Sequence, residues 1–278
     1  MRIGIFHSTI RGDEKLIIKA ARRLRVEFVL YDIRKLILDP ESFKIDFDIA
    51  LNRSVSNKMG RYLTFFLESL GVKVVNSSKV LQICEDKFLT SLVLKRAGVP
   101  TVDFLMVFSL EQAKEAVERL GGYPVVIKSP LGSWGRFMAK VNDEEALEAV
   151  IEHKMALQAP YHKAFYIQKY VDKGGRDIRA FVVGGRTICA IYRNSSHWIT
   201  NTARGGVATN CPVDKDLAEI CRRASRAVGG GILAMDVFET KDGYVINEIN
   251  HTMEFKNSEK PTGVSISEEI VRFLVAGS

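Results

Sequence analysis

Two carboxylates and an amide towards the C-terminal end of the chain are spaced as metal ligands are. Asp236 sits in Met235-Asp236-Val237-Phe238-Glu239, and Glu248 and Asn250 sit in Tyr244-Val245-Ile246-Asn247-Glu248-Ile249-Asn250. These runs flank Lys241-Asp242-Gly243, and an Asp-Gly turn between apolar-rich segments signals a β-hairpin. With the three residues as the loop, Thr240 faces Tyr244 and Asp236 falls opposite Glu248. Period-two alternation then puts Asn250 on the same sheet face. Opposed carboxylates repel, so the pair needs a cation between them, a shared proton or solvent. Two carboxylates and an amide oxygen form a hard, all-oxygen set suited to Mg²⁺. A two-residue Asp242-Gly243 loop would oppose Asp236 to Ile249 and turn it away, and a solvated hairpin bearing ordinary surface acids is the plain alternative.

A second group of residues suits anions. Val125-Val126-Ile127-Lys128 leads into Ser129-Pro130-Leu131-Gly132-Ser133-Trp134-Gly135-Arg136 and straight on into another strand-like run. A short glycine-rich loop between strands brings backbone N–H groups close to phosphate oxygens, and Lys128 ends the strand beside it. The G-x-x-x-x-G-K-[ST] and G-x-G-x-x-G patterns are absent, which excludes a P-loop and a dinucleotide fingerprint. Arg179 lies among apolar residues in a strand and Arg193 ends one, so the hairpin acids are their natural partners, in a site or in a structural salt bridge. Arg204 stands in Asn201-Thr202-Ala203-Arg204-Gly205-Gly206, where two glycines permit close approach.

The elements that must position these groups fall into three stretches. Arg2–His7, Val26–Ile33, Ile49–Asn52 and Val72–Asn76 read as strands, with helical periodicity over Glu14–Leu24 and Lys58–Leu70. That alternation gives an α/β layer with mostly parallel strands. Ser8-Thr9 and Arg53-Ser54-Val55-Ser56 then occupy strand carboxyl ends, where ligands gather, or are simply polar loops. A helical stretch begins at Ser78 and runs through Glu85–Ala97 to Gly98-Val99-Pro100. Helix Ser109–Leu120, strands Pro124–Lys128 and Phe137–Val141, helix Asp143–His153 and strand Phe165–Tyr170 form a small α+β lobe. Asp177–Val183, Thr187–Tyr192, helix Pro212–Val228 and the hairpin form a third unit.

The totals are those of a soluble globular protein: 278 residues, ordinary apolar content and net charge +7. No apolar stretch nears the roughly 20 residues of a membrane span. The N-terminus reads as a first strand and not a signal peptide. Cys84, Cys189, Cys211 and Cys221 lack paired spacing, which points to reduced thiols and the cytoplasm. The basic balance admits an anionic cofactor, an acidic protein or nucleic acid. Nucleic acid is disfavoured because no basic run of five or six occurs. Lys/Glu-rich helices with solvated faces, as in heat-adapted proteins, are the alternative explanation.

Taken in order, these pieces resemble the ATP-grasp carboxylate–amine ligases of the ribosomal-protein glutamate-ligase type, most nearly their LysX branch. The motifs are Glu85-Asp86-Lys87, Val126-Ile127-Lys128, Gly132–Arg136, Tyr166–Val171, Gly175–Arg179, His197–Gly206 and Asn247–Asn257, the last two being long and specific. The resemblance covers essentially the whole chain. It implies an α/β and α+β ATP-grasp fold: an N-terminal domain over 1–83, a central lobe with the lid loop over 84–171 and a C-terminal lobe with the metal site over 172–278.

It also implies roles. Lys87 and Lys128 would contact ATP phosphates or the adenine edge. Gly132, Ser133, Trp134, Gly135 and Arg136 would fold over the phosphates. Gln168, Lys169, Tyr170 and Val171 would meet adenine, and Asp177 would lie near the ribose. Asp236, Glu248 and Asn250 would hold Mg²⁺. A carboxylate would attack the γ-phosphate, and an amine would then attack the acyl phosphate. Arg179, Arg193, Asn201 and Arg204 would stabilise that intermediate, while Arg193, Asn201, Thr202, Asn257, Ser258 and Thr262 would orient the amino acid. His197 and His251 are candidates for assisting amine deprotonation, though orientation or structure accounts for them as well.

In that branch the carboxylate is the side chain of the C-terminal glutamate of a small acidic carrier protein, LysW-like, which a positive face would steer. The amine belongs to 2-aminoadipate in lysine biosynthesis. Glu254-Phe255-Lys256-Asn257-Ser258 favours aminoadipate. Glutamate in arginine biosynthesis, both amino acids, or glutamate added to another protein's C-terminus are the alternatives. A homo-oligomer is expected.

Overall fold

Alternating apolar strands and amphipathic helices at the N-terminus build a parallel sheet. β1 (Arg2–His7), α1 (Gly12–Arg23), β2 (Glu27–Asp32), β3 (Ile49–Arg53), α2 (Asn57–Ser69) and β4 (Lys73–Val75) give the strand order β2-β1-β3-β4, every pairing parallel. Side-chain alternation sends Phe6 and Ala50 to a core with Leu63, Leu67 and Val74, and Ile3, Ile5 and Leu51 to the opposite face. The computed structural model describes residues 1–132, 137–157, 163–200 and 207–277.

The stretch from Ser78 to Ala97, expected as continuous helix, is broken. α3 (Ser78–Glu85) ends at Asp86, whose extended backbone starts α4 (Lys87–Arg96), and its carboxylate accepts the N–H groups of Phe88 and Leu89 at 2.8 and 3.1 Å. Capping the new helix costs less than leaving those amides unpaired. The break also lets Lys87 N–H reach Pro130 C=O at 3.0 Å, which ties the start of α4 to the glycine-rich loop.

The middle lobe has β5 (Phe104–Val107), α5 (Leu110–Arg119), β6 (Val125–Lys128), β7 (Ala139–Val141), α6 (Glu144–Ala156) and β8 (Phe165–Lys169). Its antiparallel sheet has the order β5-β8-β6-β7 and packs α5 and α6 on one face through Ala113, Val117, Leu147 and Ile151. Ser109 caps α5, as its sequence position predicts, by accepting from Gln112 N–H.

The third unit contains β9 (Arg176–Val183), β10 (Arg186–Asn194), β11 (Val207–Cys211), α7 (Lys215–Val228), β12 (Ile232–Thr240), β13 (Gly243–Asn250), α8 (Glu259–Thr262) and α9 (Ile266–Ala276). The strand order is β11-β10-β9-β12-β13. One sheet face packs Ile178, Ala180, Val182, Leu233, Met235 and Val237 against α7. The other face is divided. Phe181, Val183, Ile232 and Ala234 meet Ile3, Ile5 and Ile17 of the N-terminal unit, and the charged positions on that face remain uncovered by it. β5, β11, α8 and α9 had no distinct signal in the sequence reading, since the two strands are short or exposed and the last helices follow an irregular, hydrogen-bonded segment.

The hairpin differs from its expected form in a way that preserves the outcome. Thr240 pairs with Gly243, leaving Lys241-Asp242 as a two-residue loop. An unbroken ladder from that closure would set Asp236 against Asn247. A β-bulge between Asp236 and Val237 on one side and Ile246 and Glu248 on the other absorbs Asn247 as an extra residue, so Asp236 does face Glu248. The bulge re-aims one side chain and shifts register by one.

Asn76 ties the N-terminal unit to this hairpin. Its buried amide accepts from Ile232 N–H at 2.7 Å and donates to Ile232 C=O at 2.8 Å and His251 C=O at 2.6 Å. Gly231 permits the approach: its φ is +96°, and a Cβ there would lie 1.9 Å from Asn76 Oδ1. Asn76→Ala leaves three buried backbone groups unpaired, so it should cost about 3 kcal/mol in urea unfolding. Gly231→Ala should destabilise comparably through clash and backbone strain; a loss under about 0.5 kcal/mol for either would contradict this tie.

Candidate active site

Strand register places alternating charges on one face of the C-terminal sheet. Arg193 of β10 pairs with Asp177 of β9, and Arg179 of β9 pairs with Asp236 of β12, which faces Glu248 of β13. Arg193 Nε and Nη2 donate to Asp177 Oδ1 and Oδ2 at 2.7 and 2.9 Å, and Nη2 also lies 3.0 Å from Asp236 Oδ2. Arg179 Nε and Nη2 reach Asp236 Oδ1 and Oδ2 at 2.9 and 3.1 Å. Arg193 is 1% exposed and Asp236 4%, so these are buried pairs that must neutralise one another. Burial alone would raise Asp236, but the charges of Arg179 and then Arg193 overcome it and hold the carboxyl down at about 2. Asp177 also accepts from Lys173 Nζ at 3.1 Å and from the Thr200 hydroxyl.

Cations from the other units converge above this floor. Lys128, at the end of β6, is buried, and its Nζ donates to Gln168 Oε1 and, at 3.1 Å, to Asn247 Oδ1. Asn247 is the bulged residue, so the register shift supplies this contact. Neutral acceptors do not balance the ammonium, and burial pushes Lys128 down to about 8. Lys87 Nζ donates to Gly132 C=O and lies 3.8 Å from Glu248 Oε1.

One continuous cleft runs past these groups. At one end Val126, Met138, Tyr170, Val171 and Phe238 make an apolar slot, with Gln168 and Lys169 beside it. Lys140 Nζ sits 3.8 Å from the Tyr170 ring centroid, a cation–π contact that orders the slot's rim. In the middle lie Lys87, Lys128, Gly132, Lys173, Asp177, Arg179, Arg193, Asp236, Glu248 and Asn250. At the other end Arg11, Ser54, Val55, Asn57, Glu85, His251 and Thr252 line the wall where the parallel strands finish. Burial, then the charge of Arg53, pushes the His251 imidazolium down to about 4, so that ring is neutral at pH 7.

The cleft thus gathers every described residue expected around the nucleotide, the metal and the arginine pair. Ser54 and Val55 of the expected strand-end group line it. Ser8 is instead buried, its Oγ accepting from Val55 N–H at 3.0 Å, and Thr9 bonds Ser8 C=O. Asn257, Ser258 and Thr262 are not part of the lining: Asn257 is exposed, Ser258 is buried, and the Thr262 hydroxyl donates to Ser258 C=O. Ser133, Trp134, Gly135 and Arg136, and Asn201, Thr202 and Arg204, lie outside the described residues. Lys173, Asn247 and Glu85 were not singled out as site residues. Lys173 lies in an Asp-Lys-Gly-Gly loop without periodicity, and Asn247 required knowledge of the bulge.

The residues present fit a hard divalent cation. Among the described residues no three His, Cys, Asp or Glu side chains gather around one point, so any such site is the mixed set of Asp236, Glu248 and Asn250 completed by ligand oxygens. Asn250 Nδ2 is buried without a partner among the described residues, and none of them fixes which end of the amide faces the cleft. Asp236 Oδ1 retains a lone pair after its single arginine bond, whereas Oδ2 meets both guanidiniums.

Comparison with known proteins agrees with this architecture. Residues 84–274 match the RimK-like ATP-grasp domain, and residues 3–83 match the LysX preATP-grasp domain. The alpha-aminoadipate–LysW ligase LysX of Saccharolobus solfataricus is 35% identical over 262 residues, covering 93% of this chain and 95% of that protein. The glutamate–LysW ligase ArgX of Sulfurisphaera tokodaii is 34% identical over 280 residues, covering 99% and 98%. The crystal structure of a RimK domain protein ATP-grasp from Sphaerobacter thermophilus superposes with a TM-score of 0.81 at 26% identity, covering 99% of this chain and 100% of that one. With its fold, its cleft and these matches in agreement, the chain belongs to the RimK-like ATP-grasp family of ATP-dependent ligases.

Proposed function

We propose that this chain joins the α-amino group of 2-aminoadipate to the side-chain carboxylate of the C-terminal glutamate of a small acidic, LysW-like carrier protein. The observation that carries the reading is Lys128: an ammonium with 4% exposure, bonded only to neutral oxygens among the described residues, beside Lys87 and the Arg179–Arg193 pair. Such a cation awaits an anion, and ATP supplies one. LysX-named and ArgX-named relatives at comparable identity support the carrier. By resemblance alone the Asn257-Ser258 pair, which lies off the cleft lining, goes with aminoadipate, while the ArgX likeness supports glutamate as the second reading. One methylene separates the two, worth about 1–3 kcal/mol in a pocket.

In this reading the apolar slot and Gln168–Val171 take adenine, and Lys87 and Lys128 take phosphates. Asp236, Glu248 and Asn250 would hold Mg²⁺, which when bound neutralises phosphate charge. A carboxylate oxygen of the carrier's glutamate bonds to the γ-phosphorus and ADP departs. The amine nitrogen then bonds to the acyl carbon, phosphate departs and the ammonium proton is lost. Arg193 and Arg179, held in place by two carboxylates, would offer oriented N–H donors to the charge that develops on the acyl phosphate. The amino-acid orienting roles of Asn201, Thr202 and Arg204 remain part of the proposal from sequence.

Four outcomes test it. With ATP, Mg²⁺ and an acidic carrier ending in glutamate, the carrier should gain the mass of one aminoadipate residue; gain with glutamate alone would overturn the amino-acid assignment, and no gain would overturn the carrier. Lys128 gives a pH signature. Its free value near 8 rises when a polyanion binds, so ATP affinity should be flat below pH 8 and fall as pH climbs above it. Calorimetry at pH 8.5 in two buffers should report proton uptake that Lys128→Met abolishes, with affinity lowered about 10–100-fold. Glu248→Gln should lower turnover roughly 10²–10³-fold without moving the melting temperature, because among the described residues only Lys87, at 3.8 Å, pairs with it. Asp236→Asn should lose turnover and also about 3 kcal/mol of stability, since Arg179 loses its carboxylate and Arg193 loses one of its two.

A further inference from the structure

The end of the cleft furthest from the apolar slot holds an acid that the ligase chemistry above does not use. Glu85 closes α3 immediately before the Asp86 break. Its side chain is 9% exposed and lines the cleft with Ser54, Val55, Asn57, Asn250 and His251. Glu85 Oε1 is buried and makes no hydrogen bond among the described residues, and the nearest ionisable nitrogen, His251 Nε2, stands 4.0 Å away. Among the described residues the other acids of this wall and of the charge set meet a cation within 4 Å: Glu14 meets Arg11 and Arg53, Asp177 meets Arg193 and Lys173, Asp236 meets Arg179 and Arg193, and half-buried Glu248 meets Lys87 at 3.8 Å.

A carboxylate removed from water without a paired cation is costly, and burial raises the Glu85 pKa, which the charge of Arg61, beyond salt-bridge distance, offsets only in part. Among the described residues no lysine or arginine lies within 4 Å of it, so the ammonium of a ligand would complete the pair. Position restricts what that ligand is. Lys87, two residues on, lies beside Glu248, and His251, beside Glu85, follows Asn250 directly on the strand that also carries Glu248. The acid therefore borders the phosphate and metal residues on the side away from the slot, where the amine must approach the activated carboxyl. Phosphates and carboxylates would be repelled there, whereas a primary ammonium fits.

We propose that Glu85 is the substrate-binding residue that receives the ammonium of the incoming α-amino acid and holds its nitrogen towards the acyl phosphate. The inference rests on the ligase reading above. On this account Glu85 selects a charged primary amine and is not needed to activate the carboxyl group.

Hydroxylamine separates the two halves. It is mostly uncharged at neutral pH, traps an acyl phosphate as the hydroxamate, and needs no ammonium subsite. With carrier, ATP and Mg²⁺, wild-type protein and Glu85→Gln should form hydroxamate at rates within about twofold of each other. Glu85→Gln should raise the KM for the amino acid about 10–100-fold and leave the KM for ATP unchanged, and Glu85→Asp, which keeps the charge, should recover part of that loss. Wild-type hydroxamate together with an unchanged amino-acid KM in Glu85→Gln would overturn this inference alone. Hydroxamate falling in parallel with amide formation would also overturn it, because Glu85 would then support activation or the fold. No hydroxamate from wild-type protein would overturn the ligase reading, and this inference with it.

Discussion

The rest of the structure depends on a sheet of buried charges that must cancel. Arg193, Asp177, Arg179 and Asp236 occupy adjacent positions on one face of three neighbouring strands, and each arginine meets carboxylate oxygens at 2.7–3.1 Å. Any single member left alone would be an unpaired charge in a poorly solvated site, so the four fix one another's rotamers and the register of β9, β10 and β12. A one-residue slip would carry all of them to the apolar face packed on α7 and drive Ile178, Ala180 and Met235 into the cleft. The charge set thus specifies the sheet as firmly as the core does.

Neutrality stops at the edge of that set, and the cleft's chemistry starts there. Lys128 has neutral partners only, Lys87 reaches Glu248 at 3.8 Å, and Asn250 Nδ2 and Glu85 Oε1 are buried without partners among the described residues. Proteins concentrate uncompensated polar groups where a ligand completes them, and the stability they forgo is supplied elsewhere. Here the supply is visible in the packing between the N-terminal sheet and the apolar half of the C-terminal sheet face, reinforced by Asn76 on Ile232 and by Asp13 on the Phe255 and Lys256 amides at 2.7 Å. The same seam positions the hairpin and its continuation, so the interface that stabilises the molecule also orients the site.

Much of this was legible because the informative residues recur with strand periodicity. Asp236, Glu248 and Asn250 were expected on one face, and the parallel N-terminal layer followed from regular alternation of strands and helices. The right opposition of Asp236 and Glu248 came from a wrong loop, however. The expected three-residue turn is a two-residue turn plus a bulge, and single-residue bookkeeping of that kind depends on the partner strand, not on local preference. Glu85 was quoted only as part of a motif, because its significance lies in what does not face it. Asn257, Ser258 and Thr262 were expected at the substrate by resemblance, and they lie off the lining of the cleft formed by the described residues.

The central claim is that this cleft activates a carboxylate by transferring a phosphoryl group to it. Oxygen transfer measures that step without reference to any one residue. If the carrier's glutamate side-chain carboxylate is labelled with heavy-isotope oxygen and turned over with ATP and the amino acid, one labelled oxygen should appear in released phosphate for each amide formed. Amide formation with no label in the phosphate would contradict the account.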